Sequence, residues 1–177
     1  KIPLSSVDVV KVVDYESVDY MKKDAVYRNG IQIYDKQKDA KLPVEYPFWS
    51  IKRINEKSIL TNGRFKKLVR FLKNIKFDAK KITGRKPNLS SFDINAICYS
   101  IPTTTYDSCH YLELVPILSD HIDRLLRDVT FLNNLKSVDG QEYIFLGKPE
   151  KVNELRILKE AVDTINLQIQ IQKILAA

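Results

Sequence analysis

The first 47 residues consist of short β-prone runs separated by turn residues. The segment SSVDVVKVV, residues 5–13, is rich in valine, which favours a pleated, half-buried surface, and it predicts a strand over 6–14. In AVYRNGIQIYDK, residues 25–36, two β-prone runs flank Asn29-Gly30, a dipeptide that supplies the positive φ angles of a two-residue hairpin turn. Residues 36–47 contain Lys, Asp and two prolines and predict a loop.

From about residue 48 the hydrophobic positions follow the period of a helix. Residues 63–77, GRFKKLVRFLKNIKF, predict a helix with an apolar face and an opposite basic face. The apolar positions recur three or four residues apart: Phe65, Leu68, Val69, Leu72 and Ile75. The basic positions are spaced by four and three: Lys66, Arg70 and Lys73. A loop is predicted over 78–89, where Lys, Gly and Pro are frequent.

Ser90 marks the start of the next predicted helix. Asp93 follows it by three residues, so the two form a variant capping box in which Asp replaces the usual Glu. This signal predicts a helix over about 91–100. Pro102 has no backbone N–H and ends it.

Three further elements are predicted after this helix. Residues 111–135 favour an amphipathic helix that bends at Pro116, and residues 142–146 favour a short strand. Residues 150–175 predict a long helix, because its apolar positions alternate by three and four, as in helices that pack on other helices.

The order of these elements predicts an α+β fold with the sheet at the front. Residues 1–47 would supply a hairpin and a further strand, and residues 48–177 would form a helical lobe of about five helices. A chain of 177 residues can bury a core of its own. Because Lys1 stands almost directly before a strand, we expect the chain to be part of a longer protein.

The net charge, the lengths of the apolar runs and the cysteine count limit the partners and the location that the sequence allows. The net charge of +7 and the pI near 9.3 favour phosphate-bearing ligands, either nucleotides or nucleic acids. No apolar run approaches the roughly 18 residues of a membrane span, so no membrane partner is predicted. The two cysteines are too few for a disulfide scaffold, which predicts a reducing, cytoplasmic location.

Two segments suit phosphate chemistry, and each has a plainer interpretation. The cations Lys66, Arg70 and Lys73 are either a solvated helix face or a set of phosphate contacts. The Ser90-Ser91-Phe92 stretch is either an N-cap with a core aromatic, or a helix start that binds an anion beside a ring that stacks on a base.

Asp8 is unusual because it lies among valines. A buried carboxylate needs a cation, a basic side chain or water, so Asp8 is either ion-paired with a lysine or faces a metal ion. One carboxylate alone cannot organise a catalytic Mg²⁺ site. The cysteines and histidines do not follow a zinc spacing, and His110 and His121 are expected on the surface or in loops.

Three pieces in a fixed order resemble the later half of the template-independent nucleotidyltransferases. They are the VDVV strand, the basic helix within NGRFKKLVRFLKNIK, and LSSFDINAICYSIP. The group includes cyclic GMP-AMP synthase, the oligoadenylate synthetases and the bacterial cyclic-oligonucleotide synthases of anti-phage defence. The bacterial branch is the most similar, through residues 46–73. The resemblance covers most of residues 4–135.

The resemblance implies a role for each matching residue. Asp8 would be the third of three metal-binding acids for Mg²⁺ or Mn²⁺, in a reaction that joins nucleoside triphosphates and releases pyrophosphate. Arg70 would reach the triphosphate with help from Lys66 or Lys73. Near the next helix start, Ser91 would contact phosphate and Phe92 would stack on the base, where many members have tyrosine. Ser90 would belong to the same nucleotide-binding set.

The resemblance also implies what is missing. The Gly-Ser loop and the paired acids of the family precede the third acid, so an upstream segment is expected as a partner and the chain alone is expected to be inactive. A regulatory partner or a nucleic acid would be a further partner. No cysteine or histidine cluster lies between residues 42 and 63, so the zinc ribbon of the animal synthase is absent from the sequence.

Two hypotheses from other classes remain open. The basic helix could bind RNA or DNA without catalysis, although Phe65 lies on the apolar face and Phe71 flanks it, so neither interleaves with the cations. The helix at 150–175 could instead serve a helical interaction protein.

Overall fold

The computed structural model describes residues 30–35, 39–107 and 110–176. The chain divides into two compact units, Lys1–Lys52 and Arg53–Ala177. Asp8, the strand predicted over 6–14 and the first run of the predicted hairpin lie outside the described residues.

In the described part of the first unit, two strands form an antiparallel pair. They are β1 (Ile31–Asp35) and β2 (Ala40–Glu45). The second β-prone run of the predicted hairpin is therefore confirmed as β1, whereas the prediction of a loop throughout 36–47 is wrong over β2. The register shifts between Gln32 and Tyr34, whose partners are Val44 and Lys41, and Pro43 lies in the stretch between these partners. Because a proline has no N–H to give to the ladder, it is tolerated at such an irregularity.

Six α-helices and two short 3₁₀ helices make up the described part that follows the strands. The α-helices are α1 (Pro47–Leu60), α2 (Arg64–Thr83), α3 (Ser91–Tyr99), α4 (Leu114–Arg127), α5 (Val129–Asn133) and α6 (Pro149–Leu175). The 3₁₀ helices are Thr103–Tyr106 and Tyr111–Glu113. The predicted α+β class with a helical lobe is confirmed, with one helix more than expected.

The helix α2 is longer than its sequence pattern predicts. The predicted loop at 78–89 is wrong up to Thr83, because Ala79 is fully buried and continues the apolar face. The helix ends where Gly84 adopts a left-handed φ of 76° and donates its N–H to the Lys80 carbonyl. Glycine takes this conformation without the steric cost that a Cβ would add.

Two other predictions are corrected in the second half of the chain. The single helix predicted over 111–135 is broken at Asp128, whose Oδ1 accepts the Phe131 N–H at 2.9 Å and caps α5. Pro116 lies in the first turn of α4, where a missing N–H breaks no helical bond, and it is not the point at which the segment breaks. The predicted strand at 142–146 is reduced to one isolated bridge between Lys136 and Tyr143.

The hydrophobic core lies where α2 and α4 pack on α6 and α3 packs on α2. The apolar positions predicted for α2 are buried, as are Leu155, Leu158 and Val162 of α6. Burying side chains of this size contributes about 1.5–3 kcal/mol each. This core holds α2 and α3 side by side, and the candidate site lies between them.

Candidate functional site

The three cations predicted on α2 have different surroundings. Lys66 donates from its ammonium to Asn55 Oδ1 at 2.7 Å. Arg70 is exposed, and its guanidinium makes no hydrogen bond or ion pair with any residue in the described part of the chain. Lys73 lines a cleft between α2 and α3. Of these three predicted cations, Lys73 lines the cleft and Lys66 and Arg70 do not.

The cleft has a volume of about 160 Å³ and carries three ammonium groups. Its lining residues are Lys73, Lys76, Phe77, Lys86, Ser91 and Ile94. No aspartate or glutamate that the structure describes lines it. Three positive charges without a carboxylate among them favour an anion, and the more charge the anion carries, the larger the Coulomb gain.

The two serines at the start of α3 have distinct tasks. The Ser90 hydroxyl accepts the Asp93 N–H at 3.1 Å, and Asp93 Oδ2 in turn accepts the Ser90 N–H at 2.7 Å. The predicted capping box is thus confirmed, and it occupies the Ser90 side chain. Ser91 faces the cleft, and its hydroxyl has no hydrogen-bond partner among the described residues. Of the two, Ser91 has the hydroxyl available to a ligand.

The aromatic ring of the cleft is not the one that the sequence pattern favours. Phe92 is 37% exposed but does not line the cleft. Phe77 does line it, is 71% exposed, and has the Lys86 ammonium 5.7 Å from its ring centre. Phe77 follows Lys73 by four residues, so helical spacing could have indicated it. Lys86 comes from a loop without periodicity, which gives no such signal.

Lys57 of α1 is buried against the C-terminal end of α3, whereas Ser91 of the cleft is at the N-terminal end of that helix. Its ammonium donates to the carbonyls of Tyr99 and Ile101, each at 2.5 Å. It also lies 4.8 Å from the ring centre of Tyr99 and 5.6 Å from that of Phe65. Burial lowers the pKa of Lys57 to about 8, and it raises the pKa of the neighbouring Cys98 thiol to about 12.

His121 does not lie at the surface, so that prediction is wrong. It is 8% exposed on α4, with Nε2 2.7 Å from the Ser100 hydroxyl oxygen. Burial, reinforced by the positive charge of Arg124, lowers the pKa of His121 to about 4. The ring is therefore neutral at pH 7 and serves the packing of α4 on the end of α3.

Among the residues that the structure describes, no three histidine, cysteine, aspartate or glutamate side chains are grouped so as to hold a metal ion. These residues alone do not fit a Mg²⁺ or Mn²⁺ site. Within the same ranges, no helix is long and apolar enough to cross a bilayer.

Comparison with known proteins identifies the helical part of the chain. Residues 52–167 match the family described as the cGAS/DncV-like nucleotidyltransferase C-terminal helical domain. The chain belongs to this family. The resemblance seen in the sequence is thereby confirmed, and the cleft between α2 and α3 belongs to this helical domain.

Similar proteins share both sequence and fold with this family member. A c-di-GMP synthase from Flavobacteriaceae sp. is 43% identical over 174 residues, which cover 98% of this chain and 47% of the relative. The solved structure of a STING-associated CdnE c-di-GMP synthase from Flavobacteriaceae sp. superposes with a TM-score of 0.78 at 42% identity, covering 88% of this chain and 44% of that one.

The corresponding enzyme from Capnocytophaga granulosa gives a TM-score of 0.74 at 43% identity, covering 82% and 46%. The chain spans about half the length of the curated relatives that it matches.

Proposed function

We propose that the protein containing this chain is a nucleotidyltransferase that joins two GTP molecules into cyclic di-GMP. The relatives named c-di-GMP synthase support the choice of GTP and of the product. In each of the two steps a ribose hydroxyl oxygen forms a bond to the α-phosphorus of a GTP and its proton passes to solvent. The bond from that phosphorus to the oxygen shared with the β-phosphorus breaks, and pyrophosphate leaves. We also propose a role in anti-phage defence, and two similar structures described as STING-associated support it.

The observation that carries the proposal is the cleft shared by Lys73 and Ser91. We assign it the β- and γ-phosphates of a bound GTP. Lys73, Lys76 and Lys86 would neutralise these phosphates and the pyrophosphate that leaves, and the Ser91 hydroxyl would donate to a phosphate oxygen. Fixed charges placed where negative charge develops lower the barrier without reorganisation during the reaction.

The other predicted residues take supporting roles in the proposal. Arg70, exposed on the same face of α2, would approach the triphosphate from outside the cleft, with Lys66 as a weaker helper because it is hydrogen-bonded to Asn55. Phe92, partly exposed beside Ser91, would stack on the guanine. Ser90 would act indirectly, since it holds the start of α3 in place.

The remaining parts of the proposal concern groups beyond the described residues. Asp8 would be one of three acids that bind Mg²⁺ or Mn²⁺, and the other two would come from the upstream segment with the Gly-Ser loop. We assign residues 1–47 to the end of the catalytic sheet and 48–177 to the helical lobe. A cytoplasmic location fits the free, buried thiol of Cys98.

The test uses the full-length protein with GTP and Mg²⁺, and it measures cyclic di-GMP by mass spectrometry. Lys73→Ala combined with Ser91→Ala should lower kcat/KM for GTP by about 100-fold, since each hydrogen bond to a charged phosphate contributes at least about 1.5 kcal/mol, or about tenfold. Lys67→Ala is the matched control, because Lys67 is an exposed α2 lysine outside the cleft. A wild-type protein that makes no cyclic dinucleotide from GTP, or a double variant with unchanged turnover, would overturn the proposal.

A further inference from the structure

The ammonium of Lys57 binds the end of α3 opposite the cleft. The Tyr99 carbonyl, which accepts from it, belongs to the last residue of α3, and the Ile101 carbonyl, which also accepts from it, lies two residues beyond the end of the helix. The last carbonyls of a helix have no partners within it and carry its negative partial charge, so a cation there completes their hydrogen bonding. Lys57 thus caps a helix of another segment, 42 positions further along the chain.

The same ammonium lies among three aromatic rings from three other elements, namely α2, α3 and the 3₁₀ helix that ends at Tyr106. Its distance to the ring centre is 4.8 Å for Tyr99, 5.6 Å for Phe65 and 5.8 Å for Tyr106. Phe65 belongs to α2, and its ring meets Tyr99 of α3 edge-on at 6.0 Å. The charge therefore joins α2 and α3 at one point. Contacts of this kind are strongest where water is excluded.

Burying the charge of Lys57 in the core carries a desolvation penalty. Lys57 is 7% exposed, and taking an ammonium out of water is unfavourable unless hydrogen bonds offset the lost hydration. A leucine or methionine could fill similar space without that cost. The hydrogen bonds and ring contacts of Lys57 have preferred directions, so they fix the orientation of α3 relative to α2. An apolar side chain at this position would not do so.

The positions of α2 and α3 at this point determine the geometry of the cleft. Phe65 precedes Lys73 by eight residues on α2, and Ser91 precedes Tyr99 by eight on α3. Eight residues of helix span about 12 Å. A tilt of about 5° at the Lys57 end would therefore move Ser91 relative to Lys73 by about 1 Å, a displacement that can reduce an enzymatic rate by about 100-fold.

We propose that Lys57 is a positioning residue for the triphosphate cleft: by binding the carbonyl at the end of α3 and that of Ile101 just after it, beside Phe65 of α2, it holds Ser91 opposite Lys73. This inference rests on the proposed function of the cleft. Lys57 itself touches no nucleotide. Its effect on the reaction passes through the placement of the two helices.

The experiment compares wild type, Lys57→Met and Lys57→Arg in the full-length protein, with Lys67→Met as the control for the same change at an exposed position of α2. Kinetic constants for GTP are referred to the concentration of folded enzyme. Lys57→Met should raise KM at least tenfold, whereas Lys57→Arg, which keeps a donor cation, should stay within about threefold of wild type. A purely structural role would reduce the folded fraction and leave KM unchanged, which would overturn the inference.

A second readout does not depend on turnover. Amide hydrogen exchange over residues 90–96 should be at least tenfold faster in Lys57→Met than in Lys67→Met, because the far end of α3 has lost its anchor. If Lys57→Met does not fold, the same measurements are made on Tyr99→Leu, which removes one ring and keeps the carbonyl. Unchanged exchange in the folded variant contradicts the inference. A wild-type protein that does not use GTP, together with faster exchange in Lys57→Met, would instead count against the proposed function alone.

Discussion

The ammonium of Lys151 on α6 lies 2.8 Å from Oδ1 of Asp93, the third residue of α3. Asp93 is 1% exposed, and its other oxygen accepts both the N–H and the hydroxyl of Ser90. One buried carboxylate thus completes the start of α3 and also ties that helix to α6. The N-terminal end of α3 is fixed by Asp93 as its C-terminal end is fixed by Lys57.

Removing this carboxylate should destabilise the fold. We expect Asp93→Ala to lower the free energy of unfolding by about 2–4 kcal/mol, since it deletes a capping box and leaves Lys151 without its partner. Urea denaturation of the purified protein measures the change. Asp78→Ala is the control, because Asp78 pairs with a lysine that is 80% exposed, and such pairs contribute about 0.5 kcal/mol or less. Equal effects of the two substitutions would contradict the assigned role of Asp93.

The adjacent serines allow stability and binding to be separated. Ser90→Ala should cost about 1 kcal/mol of stability through the lost cap. Ser91→Ala should leave the stability within about 0.5 kcal/mol of wild type and raise KM for GTP several-fold. Denaturation and steady-state kinetics on both variants of the full-length protein check this. A Ser91→Ala protein with reduced stability and an unchanged KM would show that Ser91 does not face the phosphates.

Stability should decrease in weak acid because of His121. Its pKa is lowered from 6.5 to about 4 in the fold, so the unfolded chain binds a proton more readily between these values. The free energy of unfolding is therefore unaffected by the protonation of His121 above pH 6.5. It decreases as the pH falls toward 4, by roughly 2–3 kcal/mol in total. Unfolding free energies from pH 7 to 4.5 measure the effect.

The control for the acid effect uses the two histidines. His121→Gln should flatten the pH dependence in this range, whereas His110→Gln, at an exposed position, should not. A His121→Gln protein that keeps the full pH dependence would show that other groups are responsible.

Asp8 is the residue on which the proposed metal chemistry depends. Asp8→Asn in the full-length protein should reduce cyclic di-GMP formation by at least 1,000-fold and leave the melting temperature within a few degrees of wild type, because the change removes a charge with little change of shape. Asp14→Asn, a nearby acid, serves as the control. Normal turnover in Asp8→Asn would exclude it as a metal ligand.

Local signals predicted part of the fold well. The apolar spacing that predicts α2 and α6, and the Ser90–Asp93 pair at the start of α3, report interactions within a few residues, and all three are confirmed. The strand β2 was missed because Pro43 argues against a strand, and only the register irregularity of the pair accommodates it. The break at Asp128 was missed because the helical period continues beyond it.

The site was predicted less completely than the helices. Lys73 and Ser91 were among the predicted residues, but Lys76, Phe77 and Lys86 become neighbours of Ser91 only through the packing of α3 on α2. Lys57 gives no sign of burial in its own helix, where a lysine is expected to face solvent. Its role depends on carbonyls 42 and 44 positions away.

The most direct test of the cleft compares the affinity of the full-length protein for GTP and for GMP, measured by calorimetry for wild type and Lys73→Ala. Because Lys73 is assigned to the β- and γ-phosphates, Lys73→Ala should weaken GTP binding about tenfold, or about 1.4 kcal/mol, and leave GMP binding unchanged. Equal losses for both nucleotides, or no loss for GTP, would contradict the assignment of the triphosphate to the cleft between α2 and α3.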